Sequence, residues 1–349
     1  MKKWIVTGIS GCGRIEFLEE IKDNLLKKGI AVRTHDLGNI IRQVCHEQTI
    51  EFDDEKILDM DASTLKLARA LAIQQIDTEI LKDKETDLHL IGVHLTFKWK
   101  SRLISGFSIK EILSLDPDGF INVVDNVKDI FELIKSNPKW QNVPIPDIEE
   151  IQYWLMEEEF ITKMLGEMTN TPVFLVARKH NIDNISDLFL TEKKKLYLSY
   201  PITAIKDSNP EILEEIQGEI LTKLQEEFIV FNPLSIEDMK LTYLQKSEQS
   251  GDYPEFIEQL NGDAIEIIKT RTVHRDYQFI DQSDAVVVFY ITDKLSPGVM
   301  GEMYYAHRNS KPIFMAFQGS RSPFLTDICH VIENKPDDLF KHLQNFSKK

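Results

Sequence analysis

At 349 residues, with 42% hydrophobic and 28% charged side chains, the chain has the composition of a globular protein large enough for two cores. A formal net charge of −16 argues against a protein that coats nucleic acid or an anionic membrane, while still permitting a local basic pocket for a small phosphate ligand. The 3 cysteines, Cys12, Cys45 and Cys329, are too far apart for a disulfide framework or a zinc site, so no metal is expected. The N-terminus carries a short apolar strand rather than a signal-peptide core, and no apolar run is long enough to span a bilayer. These features point to a cytoplasmic protein without a membrane partner.

The chain opens with a predicted strand, Trp4 to Thr7, and the glycine turn Gly8-Ile9-Ser10-Gly11-Cys12-Gly13. A helix from Arg14 to Lys28 follows, with Ile15, Leu18, Ile21, Leu25 and Leu26 at helical spacing. Ala31 to Thr34 reads as a strand, Leu37 to Cys45 and Thr64 to Leu81 as helices, and Leu88 to Val93 as a buried strand. Phe120 to Val124 is a further strand, Val127 to Ile134 a helix, and Lys135 to Ile145 a proline-punctuated loop. Ile148 to Met168 reads as a long acidic amphipathic helix, in which Trp154 is a core aromatic and Glu157-Glu158-Glu159 a solvated face. Val173 to Ala177 would be the last strand of a doubly wound parallel sheet.

A boundary is expected between Arg178 and Lys195, dividing a domain over residues 1–190 from one over 195–349. The α/β rhythm then repeats: a strand from Leu196, a helix from Pro210 to Glu227, a strand from Phe228 to Phe231, and a helix from Ala264 to Ile280. Tyr243 to Tyr253 is a polar excursion that suits a mobile loop near a ligand. The apolar run Ala285 to Tyr290 and the segment Pro312 to Ala316 complete the predicted strands. The fold class is therefore α/β, with two doubly wound, Rossmann-like parallel sheets.

The turn Gly8-x-x-Gly11-x-Gly13-Arg14 lies between a predicted strand and a predicted helix, the context that a phosphate-binding loop requires. With His35-Asp36-Leu37 after the second strand, it resembles the nucleoside-monophosphate (adenylate-like) kinase branch of P-loop proteins over roughly the first 190 residues. That resemblance implies Gly8, Gly11, Gly13 and Arg14 as cofactor-binding residues, with ATP or GTP as the cofactor. Arg14 stands where the family has lysine, and Ile15 and Glu16 stand where it has small or hydroxyl residues. Phosphotransfer, retained nucleotide binding and a structural remnant all remain open. His94, at the end of a buried strand, is either a ligand-side group or a satisfied structural one. Lys98, Lys100 and Arg102 either line a phosphate site or form a solvated basic loop.

Downstream of the Ala285–Tyr290 run comes Ser296-Pro297-Gly298-Val299-Met300-Gly301-Glu302, in which a Ser-Pro pair suited to opening a helix leads to one carboxylate. In an open α/β sheet such a loop lies at the carboxyl ends of the strands, where ligands bind. With Arg275-Asp276 upstream and Tyr197 to Thr203 at the start of the region, the segment resembles the nucleoside 2-deoxyribosyltransferase superfamily. Its closest similarity is to the branch of 2'-deoxynucleoside 5'-phosphate N-hydrolases, over roughly Lys195 to Lys349. The resemblance implies Glu302 as nucleophile, Asp276 as the second acid, and Ser296, Gly298, Gly301, Tyr197, Ser199 and Thr203 as substrate-binding residues, with Tyr197 either beside the nucleophile or filling the sheet edge. Two carboxylates suit N-glycosidic cleavage: one traps the oxocarbenium-like cation and the other protonates the departing base. Serine at 296 favours a 5'-phosphate, which a fixed carboxylate there would repel. The resemblance further implies a small-molecule nucleotide or nucleoside partner and a homo-oligomer, and no cofactor for the glycosidic step.

Overall fold

The computed structural model describes residues 1–348 apart from 55, 101, 203, 206–208, 239–259 and 293. The excursion Tyr243 to Tyr253 and residue Thr203 therefore lie outside the described residues. The chain divides into two compact units, Met1–Lys179 with Ile236–Arg271, and His180–Ser235 with Thr272–Lys349. Each unit contains a five-stranded sheet in which every pairing is parallel, the two-sheet α/β architecture that the strand–helix alternation predicts.

In the first unit the strands are β1 (Lys2–Thr7), β2 (Val32–Asp36), β3 (Leu88–Gly92), β6 (Gly119–Val124) and β7 (Val173–Ala177), in the order β2-β3-β1-β6-β7. From central β1 the chain runs out to β2 and β3 on one side, then to β6 and β7 on the other. The glycine turn after β1 thus lies at the carboxyl edge where the strand order reverses. β3 and β6 are buried at every position, as expected of strands covered on both faces. The basic stretch around Lys98 to Arg102 is not an open loop: β4 (Thr96–Trp99) and β5 (Arg102–Ser105) pair as an antiparallel hairpin.

The helix Ile148–Thr169 corrects one sequence expectation. Glu158, read as part of a solvated acidic face, is fully buried. Three consecutive residues of a helix span about 200° of its circumference, so a Glu-Glu-Glu run cannot lie wholly on one exposed face. Glu158 accepts from the Gly8 N–H at 3.2 Å, the Leu95 and Thr96 N–H groups at 2.8 Å each, the Thr96 hydroxyl at 2.6 Å and the Thr7 hydroxyl. One carboxylate therefore ties the end of β1, its glycine turn and the start of β4 together. Replacing Glu158 with Ala would leave these donors buried and unpaired. We expect a loss of about 3–5 kcal/mol in chemical denaturation, far above a surface substitution.

In the second unit β8 (Lys195–Ser199), β9 (Ile229–Phe231), β10 (Ala285–Tyr290), β11 (Ile313–Phe317) and β12 (Val331–Glu333) take the order β12-β11-β10-β8-β9. Written in chain order this is the 2-1-3-4-5 arrangement, whose reversal falls between β8 and β10. Side chains alternate along β8: Leu196, Leu198 and Tyr200 join the core formed with Ile216, Leu224, Leu339 and Leu343. Tyr197 and Ser199 are consequently delivered to the opposite face of the sheet. Asp284 secures the start of the neighbouring strand, its carboxylate accepting the Lys195 N–H at 2.7 Å and its ammonium at 3.2 Å. The predicted helix Pro210 to Glu227 is interrupted by a π-helical turn at Ile216–Ile220.

Candidate active site

Glu302 lies in the second turn of the helix Pro297–Arg308, which follows β10 at the reversal point of the second sheet. Pro297 opens this helix with its φ already preset, and Ser296 is the N-cap residue. Both carboxylate oxygens of Glu302 are engaged from β8. The Tyr197 hydroxyl donates to Oε1 at 3.0 Å and the Ser199 hydroxyl to Oε2 at 2.5 Å. The period-2 geometry of β8 explains why both donors come from alternate residues of one strand.

Asp276 is contributed by the helix Gly262–Asp281. Its Oδ1 accepts from Arg275 at 3.1 Å (Nε) and 2.9 Å (Nη2), and both side chains are largely buried, with 14% and 6% of their surface exposed. Burial pushes the Glu302 carboxyl up to about 8. The charge of Asp276 adds to that rise, while the Ser199 and Tyr197 donors and Arg275 pull against it. Burial also raises Asp276, with Arg275 opposing. Burial together with these two acids lifts the Tyr197 phenol well above its ordinary range, so it remains a donor. The structure therefore brings Glu302, Asp276, Tyr197 and Ser199 into one electrostatic unit, in which Tyr197 and Ser199 touch the carboxylate itself.

Ser296 lies at the other end of the same helical segment, about 9 Å from Glu302 along the axis at 1.5 Å per residue. Its hydroxyl makes no capping hydrogen bond to the helix. Its N–H donates at 2.7 Å to the hydroxyl of Tyr290, which in turn donates to the Lys294 carbonyl at 3.0 Å. Tyr290 thereby fixes the loop before the helix. The sequence showed it as the last residue of a strand, with no signal of that role. A Cβ at Gly298 would meet nothing within 4 Å, and one at Gly301 only the Tyr277 hydroxyl at 3.8 Å.

The glycines of the first unit present the opposite case. Gly11 has φ +86, and a Cβ there would approach the Ile130 carbonyl oxygen and Ile134 Cγ1 to 2.9 Å each. At Gly8 a Cβ would meet Cys12 Sγ at 2.6 Å and the Val123 carbonyl oxygen at 2.7 Å, while Gly13 lies against Arg178 at 3.1 Å. Arg14 is buried and turned under the turn, its Nη2 donating to Asp36 Oδ2 at 3.0 Å and to His94 Nε2 at 3.2 Å. His94 Nδ1 lies 2.5 Å from the Gly8 carbonyl oxygen, which can only accept, so Nδ1 carries the proton. Burial and the Arg14 charge push His94 down to about 3, keeping the ring neutral. Burial alone would raise Asp36, but Arg14 and the Asn39 N–H outweigh it and hold the carboxyl below its ordinary value.

A cavity of about 820 Å³ in the second unit is lined by residues that include Tyr290, Phe317, Met300, Tyr304 and Phe324. It does not coincide with the acids. Met300 and Tyr304 are two residues to either side of Glu302, which places them on the far side of the helix. Among the described residues no carboxylate, histidine or lysine lines it, and the paired acids are the better guide to chemistry.

No protein-family model matches the chain. Among solved structures, a shikimate kinase from Acinetobacter baumannii is similar at TM-score 0.34 and 9% identity, covering 54% of this chain and 91% of that one. TT1252 from Thermus thermophilus is similar at TM-score 0.30 and 15% identity, covering 50% and 88%. A protein from Eubacterium ventriosum reaches TM-score 0.25 at 12% identity, covering 54% and 96%. At such scores the likeness carries no functional argument, and the site is read from its own geometry.

A carboxyl raised by burial favours folding in its protonated form. The stability it carries is complete below its ordinary value near 4.5 and is lost as pH rises through about 8. Glu302→Gln keeps the shape and cannot ionise. Its melting temperature relative to the parent should therefore rise between pH 5 and pH 9, as scanning calorimetry across that range would show; a constant difference would refute the raised carboxyl.

Proposed function

We propose that the second unit cleaves the N-glycosidic bond of a nucleoside 5'-monophosphate, with Glu302 as nucleophile. The observation that carries this reading is the placement of Glu302 between two hydroxyl donors, beside the buried Asp276, at the reversal point of a 2-1-3-4-5 sheet. The two donors fix the carboxylate so that a developing oxocarbenium carbon can be trapped by one of its oxygens. Asp276 supplies the second acid. With both acids raised, the pair retains a proton near neutrality, which can pass to the leaving base while Glu302 attacks.

Support for a phosphate on the substrate comes from the helix start. Backbone N–H groups there favour an anion, and the Ser296 hydroxyl is not used to cap the helix. The chain's own packing does not demand glycine at 298 or 301, which leaves room for close approach of a ligand. Tyr197 and Ser199, which the resemblance implied as substrate-binding, act in this reading by orienting Glu302. Hydrolysis requires only water as acceptor. Transfer to a second base is the variant in which an acceptor base intercepts the glycosyl-enzyme.

A second reading, an atypical nucleotide kinase or nucleotide-binding module, is favoured by the strand order of the first unit with its glycine turn after central β1. The residues present do not suit a triphosphate. The Gly8 N–H is taken by Glu158, Arg14 is paired with Asp36, and no lysine or small hydroxyl residue follows Gly13. No phosphotransfer step is therefore assigned to the turn.

Chromatography of reactions with ribo- and deoxyribonucleosides and their 5'-monophosphates tests the leading reading. Free base should appear with monophosphates, and Glu302→Ala should lower the rate on the order of a thousandfold or more. Asp276→Asn should cost roughly 10²–10⁴-fold. Release from no member of the panel, or ATP consumption that survives Glu302→Ala, would turn the assignment toward the first unit.

The pH profile of kcat/KM should be bell-shaped, because the acid pair works while it shares one proton. Its alkaline limb should lie near pH 8. Ser199→Ala removes a donor that pulls Glu302 down, so this limb should move to higher pH. A flat profile would remove the shared proton from the mechanism.

A further inference from the structure

The first unit contains a second feature that the glycosidic chemistry does not use. A cavity of about 120 Å³ is lined by Arg14, Arg42, Lys56, Lys98 and Lys139, with Asp36 as its one carboxylate among the described residues. In a chain of net charge −16 such a concentration of cations is not background. Asp36 is already committed, pairing with Arg14 at 3.0 Å and accepting the Asn39 N–H at 2.9 Å at the start of the helix Leu37–Glu47.

Among the described residues, none of the remaining cations is in contact with a carboxylate, although the charges of Asp59, Glu157 and Asp36 act on Lys56, Lys98 and Lys139. Arg42 donates only to neutral oxygens: the Asp54 carbonyl at 3.0 Å, the Gly38 carbonyl at 3.3 Å and Asn39 Oδ1 at 3.1 Å. Among the described residues, no ion pair joins Arg42, Lys56, Lys98 or Lys139 to a carboxylate. Arg14 is only 4% exposed, and its Nε and Nη1 have no hydrogen-bond partner. Burial, with the charges of Arg42 and Arg14, pushes the Lys139 ammonium below its ordinary value, and Asp36 only partly offsets this. Like charges held together with buried, unsatisfied donors are an unfavourable arrangement unless an anion joins them.

We infer that this cavity binds a small phosphate-class dianion, either inorganic phosphate or the head of a phosphomonoester, through side chains rather than through the amides of the glycine turn. Its volume accommodates one tetrahedral oxyanion and is well below the ~300–1,000 Å³ of sites that enclose whole drug-sized ligands. Guanidinium groups match such an oxyanion through paired N–H donors, and the lysines supply point charge. Lys139, on the loop after the helix Val127–Ser136, and Lys98, on β4, come from separate segments, so the site exists only in the folded unit. The inference does not rest on the role proposed for Glu302.

Isothermal titration calorimetry of the full chain at constant ionic strength provides the test, with inorganic phosphate and ribose 5-phosphate as probes and chloride as control. Saturable binding that depends on Lys139 and Arg42 is expected for phosphate and none for chloride. Lys139→Gln, on the loop after the helix Val127–Ser136, and Arg42→Gln should each weaken binding about tenfold or more. The titrations are repeated in Ser296→Asp, whose carboxylate disfavours the phosphate position proposed in the second unit, and the binding that depends on Lys139 and Arg42 should persist there. Tighter binding of ribose 5-phosphate would assign the cavity to a phosphomonoester, and equal or tighter binding of inorganic phosphate to the free ion. Absence of saturable heat, matching heat from chloride, indifference to both cation substitutions, or loss of binding in Ser296→Asp would each overturn the inference.

Discussion

Removing a carboxylate from water is the constraint around which both units are organised. An ionised carboxylate in a protein interior is tolerated only when hydrogen-bond donors or opposite charge replace its hydration. Glu158 in the first unit and Glu302 in the second meet the same desolvation with different surroundings. Glu158 receives three backbone N–H groups and two hydroxyls, a shell that leaves it no open side. Glu302 receives two hydroxyls and faces the charge of another acid. The first arrangement suits a fixed structural pin. The second suits a group that must later exchange a donor for a reacting carbon.

The same contrast separates the two glycine clusters. Gly8, Gly11 and Gly13 are required by the protein's own atoms, which fill the space where side chains would go. Gly298 and Gly301 face open space or a distant hydroxyl. A glycine-rich turn after a strand looks alike in both cases at the level of sequence. Only the packing shows that the first cluster satisfies the fold, while the second leaves a surface that a ligand can approach.

Much of the architecture was legible because it depends on local pattern. The continuous apolar run Ala285–Tyr290 marked a buried parallel strand, and Ser296-Pro297 marked the helix that follows it. The alternation of Leu196, Leu198 and Tyr200 determines that Tyr197 and Ser199 share a face; a place beside Glu302 was one of two readings for Tyr197, whereas nothing in the sequence pointed Ser199 to Glu302 rather than to a substrate. Features set by long-range contact were less visible. Glu158 stood within an acidic run, and its burial depends on donors from residues 7, 8, 95 and 96. The β4–β5 hairpin is built of two four-residue strands interrupted by Lys98, Lys100 and Arg102, and the three-residue β12 is shorter still, so none of them gives a periodic signal.

Glu302 also bears on why such an arrangement would persist. A glutamine would fit the same space, its carbonyl oxygen accepting from one hydroxyl while its NH2 donates to the other, whose O–H can rotate away, and it would avoid the desolvation that pushes the carboxyl up to about 8. As a purely structural group the carboxylate is the poorer choice at every pH above its ordinary value. Groups that lower stability while being held in a fixed geometry are expected where chemistry needs them. Glu158 does not present this argument to the same degree, since its five donors would leave an amide with mismatched hydrogens. Glu158 is fully buried and closed in by its five donors, whereas Glu302 is only partly buried beside a second acid, so of the two carboxylates it is Glu302 that a ligand could reach.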